Sequence, residues 1–483
     1  MLDAALCYKA MEARDPRFDG RFYVGVSTTG IYCRVICTAR LPRRERCSFF
    51  RTSAEAEKAG YRACLLCRPE LAPGPSRIDA VPRLVTRAVA LIEEGFLNER
   101  SIESLAGELG VTGRHLRRAM EDELGVSPVE LAQSRRLALA KQLLHDTRLN
   151  LAELAFASGF RSVRRFNALF QARFRRAPTA IRRECGAGEA AESIRVRLDF
   201  RPPFDWVALL GFLRVRAIPG VESVGTNEYR RTVRLASDSG TVTVRPDPTR
   251  PALWADVSFA LAGTLMKVVA RLRALFDLDA EPAAIAASLG CDSLLAPLVT
   301  SRPGLRVPGA FDPFEATVRA VLGQQISVGA AATLAGRLAR RFGTEFTPSD
   351  GSLTHTFPSA VELAKASVED LAAIGLPHRR AESLQAVARA FASNSLTAER
   401  GIDPDEFRRR FVALPGIGDW TAQYVAMRAL HEPDAFPASD LGIRKALGGI
   451  SPRAALQRAE AWRPWRSYAV IHLWTSLSEG VVS

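Results

Sequence analysis

Apolar side chains recur at helical spacing from Arg83 to Cys185, whereas apolar and polar positions alternate over Ile194–Phe200 and Thr232–Arg245. The first pattern predicts an all-helical block. The second predicts a small α+β domain, with a helical run at Trp206–Arg214 between its strands. From about Pro282 onward helical spacing returns, cut by Pro and Gly turns, which predicts a second all-α domain. A short block rich in Gly and aromatic residues precedes all of these. Breaks fall at Leu71–Pro82, where A-P-G-P-S separates patterned segments, and at Gly186–Ser193, where G-A-G-E-A-A-E-S reads as a flexible linker. The expected fold class is multidomain α+β, with domains over residues 1–76, 77–185, 193–282 and 283–483. A chain of 483 residues is long enough for three or four such units.

The helical block repeats itself. S-I-E-S-L-A-G-E-L-G-V-T-G-R-H-L-R-R from Ser101 is echoed by N-L-A-E-L-A-F-A-S-G-F-R-S-V-R-R-F from Asn150, so two copies of one unit are expected.

Charge narrows the partner. With 66 Lys plus Arg against 52 Asp plus Glu, the net charge is +14, a field that favours a polyanion, nucleic acid first of all. The opening residues carry Asp3, Lys9, Glu12 and Asp15 without an apolar core, and no later run reaches the length of a membrane span. A soluble, cytoplasmic protein with no membrane partner is expected.

Six of the eight cysteines lie in the first 67 residues: Cys7, Cys33, Cys37, Cys47, Cys64 and Cys67. In a reducing compartment such clustering points to metal rather than disulfides. Cys33-x3-Cys37, then 26 residues, then Cys64-x2-Cys67 gives two close thiolate pairs, which suit the corners of a tetrahedral Zn²⁺ site. Cys47 is a stray that could replace a ligand, while Cys185 and Cys291 are isolated and read as structural. The surrounding residues, G-V-S-T-T-G-I-Y-C-R-V-I-C-T-A-R and A-G-Y-R-A-C-L-L-C-R-P-E, resemble the N-terminal zinc domain of the Ada methylation-response family over about Lys9–Glu70. The resemblance implies that Cys33 irreversibly accepts a methyl group from a DNA phosphotriester and that Cys37, Cys64 and Cys67 complete the metal site. Val35-Ile36 departs from the Pro-Ser usual in that family. A zinc site that is only structural is the rival reading.

A helix-turn-helix needs a short helix, a Gly-containing turn and a recognition helix facing the major groove. In the first repeat, Ile102–Leu109 leads through Gly110 to a helix with Arg114, His115, Arg117 and Arg118. In the second, Leu151–Ala157 leads through Gly159 to Arg161, Ser162, Arg164, Arg165 and Asn167. Between Arg161 and Arg183 stand eight arginines and no acid, so phosphate contact is expected. With the linking helix Pro128–His145, the pattern resembles the two-unit DNA-binding domain of AraC-type activators. That resemblance implies promoter DNA as a partner and RNA polymerase as an activator's target.

Leu414-Pro-Gly-Ile-Gly418 places Gly416 and Gly418 in a turn between helices, where backbone N–H groups can meet a DNA phosphate. Asp440 follows Gly418 by twenty-two residues, in F-P-A-S-D-L-G-I-R-K. This spacing, with V-R-L-D-F-R-P-P-F-D-W, P-F-E-A-T-V-R-A-V-L-G-Q-Q-I-S-V and W-R-P-W-R-S-Y-A-V-I-H-L-W, resembles the helix-hairpin-helix DNA glycosylases of the AlkA (3-methyladenine) family from about Val196 onward.

The resemblance implies that Asp440 is the catalytic carboxylate, that Trp420, Tyr424 and Trp474 wall the base pocket, and that Gln325 stands where the family inserts a leucine into the duplex. Aromatic walls suit an alkylated base because alkylation makes the base cationic. Strand-nicking relatives carry a lysine where this chain has Trp420, and the C-terminal block does not hold the four clustered cysteines of an iron–sulfur version, so a monofunctional, metal-free hydrolase is expected. Asp440 as a mere helix cap, or Asp419 or Asp434 in its place, are the competing assignments. His472, set among apolar residues, reads as a core group. No P-C-H-R motif of an alkylguanine transferase occurs. The domains are therefore expected to be a small zinc domain, an all-α double helix-turn-helix domain, a small α+β sheet domain and an all-α helix-hairpin-helix glycosylase domain. Their partner would be double-stranded DNA, both alkylated and promoter. For a DNA-binding regulator with a disabled C-terminal domain, Asp440 or the hairpin should be lost, and both are present.

Overall fold

A computed structural model describes residues 3–74, 82–184, 193–346, 351–398 and 401–478. Cys185, most of the Gly186–Ser193 linker and most of the Leu71–Pro82 break lie outside the described residues. The chain divides into two compact units, one from Met1–Pro202 with Asp247–Ala270, the other from Pro203–Pro246 with Arg271–Ser483. The division runs through the segment 193–282 that the sequence pattern treats as one small domain.

In the first unit, a four-stranded sheet has the order Cys47–Phe50, Tyr23–Val26, Ile31–Cys33, Arg62–Ala63. Successive strand residues face opposite sides. Val24 accordingly packs with Cys7, Met11 and Val35, whereas its neighbour Tyr23 packs with Tyr32 and Ala56.

The two helix-turn-helix copies match in length as well as in sequence: seven-residue helices Ile102–Glu108 and Leu151–Ala157, then twelve-residue helices Gly113–Leu124 and Val163–Phe174. Each starts on a side-chain cap, Ser101, Thr112, Asn150 and Ser162, that satisfies a free backbone N–H. At Gly159 the backbone takes φ +83° and passes so close to Asn98 that a Cβ would lie 2.4 Å from the amide nitrogen. The linking helix Pro128–Asp146 carries a capping box from Ser127 and Glu130 and is buried around most of its circumference. Ser193–Asp199 pairs antiparallel with Ala252–Ser258.

The second unit holds an antiparallel meander of Glu222–Val224, Tyr229–Leu235 and Asp238–Pro246. The stretch Thr232–Arg245, which alternates as one run, is two strands of a hairpin turning at Ala236, whose φ is +52°. The helix Trp206–Arg214 lies where the pattern placed it. The rest of the unit is mainly helical from Pro282 onward. Its core is centred on Pro313–Leu322, eight of whose ten residues are buried. No helix of the described residues is long and apolar enough to cross a membrane.

Candidate functional site

The hairpin joins the helices Pro404–Val412 and Asp419–Val425. Gly416 has φ +73°, and a Cβ there would lie 2.1 Å from the Ser383 hydroxyl, so only glycine fits. Gly418 needs no such freedom: it is extended and open, and its lack of a side chain bares the backbone at the head of the next helix.

That helix carries Trp420 and Tyr424 one turn apart, with rings stacked at 5.3 Å and 15°. Trp474, from the helix Arg466–Ser478, lies 6.2 Å from Tyr424 at 41°. The three rings gather around Asp440. One carboxylate oxygen, Oδ2, accepts the indole N–H of Trp420 at 2.9 Å. The other, Oδ1, accepts the indole N–H of Trp474 and the backbone N–H of Ile443, each at 2.9 Å. Asp440 is thus both the cap of the helix Leu441–Ala446 and the focus of two aromatic donors. Three N–H donors fix the plane of a carboxylate far more tightly than a cap alone. Asp419 is instead exposed and paired with Arg408 at 3.1 Å, and Asp434 is held by Arg463 and Arg466.

Behind Tyr424 the helix widens to a π turn at Ala426–Leu430. Its Arg428 donates to the Tyr424 hydroxyl at 2.7 Å and to the carbonyls of Pro308 and Gly309. Burial pushes the Tyr424 phenol up, but Arg428, Arg216 and Arg319 outweigh it and bring it below the usual phenol range. Arg319 and Arg231 in turn hold buried Glu222 below the usual carboxylate range against the effect of its burial. Gln325 is exposed, at φ +56°. His472 is buried, as expected.

In the first unit the ligand atoms of Cys33, Cys37, Cys64 and Cys67 lie within 4.8 Å of one another. Four sulfurs about 2.3 Å from one Zn²⁺ would be roughly 3.8 Å apart, so the cluster fits that ion. The Arg34 backbone N–H donates to the Cys67 sulfur at 3.3 Å. Arg34 bridges Asp19 and Asp199, and fully buried Lys141, from the linking helix, donates to the Cys64 carbonyl and to Glu70. Cys47 stands apart, its thiol on the Arg43 carbonyl at 3.4 Å. Cys291, read as structural, is exposed just past the helix Pro282–Leu289, with its thiol on the Ala287 carbonyl at 3.3 Å.

On both recognition helices the apolar residues, Leu116 and Met120 or Phe166 and Phe170, turn inward. Arg114, His115, Arg117, Arg161, Arg164 and Arg165 remain exposed. Arg117 shares a 3.4 Å ion pair with Glu103. Two of the eight arginines counted for phosphate serve the fold instead: Arg173 pairs with Glu57, and Arg182 donates to the Leu149 carbonyl.

Four family models match the chain: the metal binding domain of Ada (residues 6–70), a helix-turn-helix domain (105–184), the AlkA N-terminal domain (195–312) and the HhH-GPD superfamily of base excision DNA repair proteins (318–464). A probable bifunctional transcriptional activator/DNA repair enzyme AlkA of Mycobacterium tuberculosis is 41% identical over 99% of this chain and 97% of its own length. The chain belongs to that family. DNA-3-methyladenine glycosylase 2 of Escherichia coli is 37% identical over 57% of the chain and 95% of its own length. The fold of a 3-methyladenine DNA-glycosylase from Archaeoglobus fulgidus superposes with a TM-score of 0.52 at 23% identity, covering 59% of this chain and 99% of that one. The cofactor of this chain is Zn²⁺, and the four clustered cysteines are the residues that fit it.

Sequence reading missed the indole bonds to Asp440 and the arginine behind Tyr424. The i, i+4 spacing of Tyr424 and Arg428 was the one available signal.

Proposed function

We propose that this chain is a DNA alkylation repair and response protein, with modules over residues 1–76, 77–185, 193–282 and 283–483. The last is a monofunctional DNA glycosylase that hydrolyses the N-glycosidic bond of alkylated bases of the 3-methyladenine type. The observation that carries this reading is the Asp440 carboxylate gripped by Trp420 and Trp474 beside Tyr424.

The hairpin amides near Gly416 and Gly418 take a backbone phosphate, and Gln325 fills the space a flipped nucleotide leaves. The cationic base enters the aromatic walls, where electron-rich faces favour positive charge. Alkylation has already made the base a good leaving group. The remaining demand is the positive charge that grows on the sugar as the bond breaks, which Asp440 stabilises. With Trp420 where a lysine would form a Schiff base, the strand stays intact after base release.

At the N-terminus, Cys33 is the methyl acceptor. Its sulfur attacks the methyl carbon of a phosphotriester, the C–O bond breaks with its electron pair on oxygen, and a thioether and a phosphodiester anion remain. Bound Zn²⁺ keeps the sulfurs deprotonated at neutral pH. The match of residues 6–70 to the metal binding domain of Ada supports this reading. The transfer changes the cluster from a charge of about −2 to about −1 and so favours the approach of DNA. Promoter recognition by Arg114, His115, Arg117, Arg161, Arg164 and Arg165 then makes the chain an activator, with RNA polymerase as its target.

The test is base release from methylated and deaminated duplexes. Release of 3-methyladenine without strand cleavage is expected, and its absence overturns the reading. Mass spectrometry after incubation with methylated DNA should find one added methyl on the Cys33 peptide.

A further inference from the structure

We propose that Gln324 is a positioning residue that locks the wedge turn, the phosphate-binding hairpin and the catalytic carboxylate into one frame. The inference rests on the reading of Gln325 as wedge and Asp440 as catalytic.

Gln325 sits at φ +56° with a side chain, a strained conformation that persists only where neighbours impose it. The residue before it supplies the restraint. The Gln324 amide has two N–H donors, and both are used: Nε2 reaches the Gly416 carbonyl at 3.1 Å and the Thr421 hydroxyl at 3.0 Å. Gly416 is the hairpin residue whose left-handed turn tolerates no side chain. Thr421 is buried and follows Trp420, whose indole holds Asp440. One side chain therefore joins the part that fills the duplex, the part that grips the backbone and the helix that aims the carboxylate.

Two neutral hydrogen bonds at a half-exposed site add little to overall stability. Their value lies in geometry, because flipping requires the wedge and the phosphate anchor to act at a fixed separation, and small misplacements are costly in rate. Gln324 touches no reacting atom in this scheme, so its effect should appear only where a base pair has to be opened.

The test is single-turnover base release by the full chain from one alkylated lesion presented in a paired duplex and in an unpaired bulge. Gln324→Met keeps the length and neutrality of the side chain and removes both donors. The paired rate is expected to fall about tenfold or more, the equivalent of one to two neutral hydrogen bonds. The bulged rate should fall less than about threefold, because little opening energy is then required. In a Gln325→Gly background, Gln324→Met should cost almost nothing further. Thr421→Val, which removes one acceptor without adding charge, should reproduce the same asymmetry and serves if Gln324→Met does not fold. Equal losses on both substrates, or no loss on either, would overturn the proposal. Absence of release by the parent chain from both would overturn the glycosylase reading beneath it.

Discussion

Replacing Trp474 by Phe keeps an aromatic wall, narrower by the five-membered ring, and deletes the indole N–H that Asp440 Oδ1 accepts at 2.9 Å. A hydrogen bond to a charged group contributes about 1.5 to 3 kcal/mol. Asp440 keeps the Trp420 and Ile443 donors, so it is loosened rather than lost. If the whole of that bond serves the aim of the carboxylate under the sugar, about 10-fold to 150-fold should disappear from the single-turnover rate, at about tenfold per 1.4 kcal/mol. Binding to a duplex with an abasic analogue should change little, since the phosphate anchor and the ring stack are intact. Trp474→Phe combined with Trp420→Phe should cost more than either change alone. A Trp474→Phe rate within about twofold of the parent would refute the idea that the indole bonds position Asp440.

Three further outcomes follow from particular contacts. Burial holds His472 down to about 4, from its usual 6.5. The unfolded chain thus binds a proton below pH 6.5 that the folded chain takes up only near pH 4. Stability should be complete above pH 6.5 and fall by about 3 kcal/mol as pH drops to 4. Denaturant titrations of the parent against His472→Gln across that window should show a shallower loss in the variant, the difference being the His472 contribution. Gly416→Ala forces a Cβ to within 2.1 Å of the Ser383 hydroxyl at φ +73°. The hairpin has to shift, and affinity for duplex should weaken by about tenfold or more in a titration. Metal analysis should find one zinc per chain, and Cys37→Ser should lose it together with a thermal transition of the N-terminal sheet.

Much of this was legible because the relevant signals are local. The duplicated helix-turn-helix carries its own caps and turn glycine in each copy, and the paired cysteines announce their metal by spacing. The helix Trp206–Arg214 was readable from its apolar face. What the pattern could not give is non-local. The strand Ala252–Ser258 is recognisable mainly through its partner Ser193–Asp199, far away in sequence. Thr232–Arg245 alternates straight through its turn, and the Ser237-Asp238-Ser239-Gly240 run, which carries turn chemistry, was the local signal passed over there. The linking helix is buried on most sides, so Lys141 reads as a solvated lysine until Glu70 and the Cys64 carbonyl are seen against it. At the candidate site, twenty-two residues separate Gly418 from Asp440, but nothing in that spacing says that two tryptophans turn their N–H groups onto its oxygens.

Asp440→Asn tests most directly whether Asp440 performs base excision. The substitution keeps the size of the side chain and removes its charge. Base release from a 3-methyladenine duplex should fall by several orders of magnitude while binding to the same duplex persists. Release at near the parental rate, with binding intact, would contradict the account.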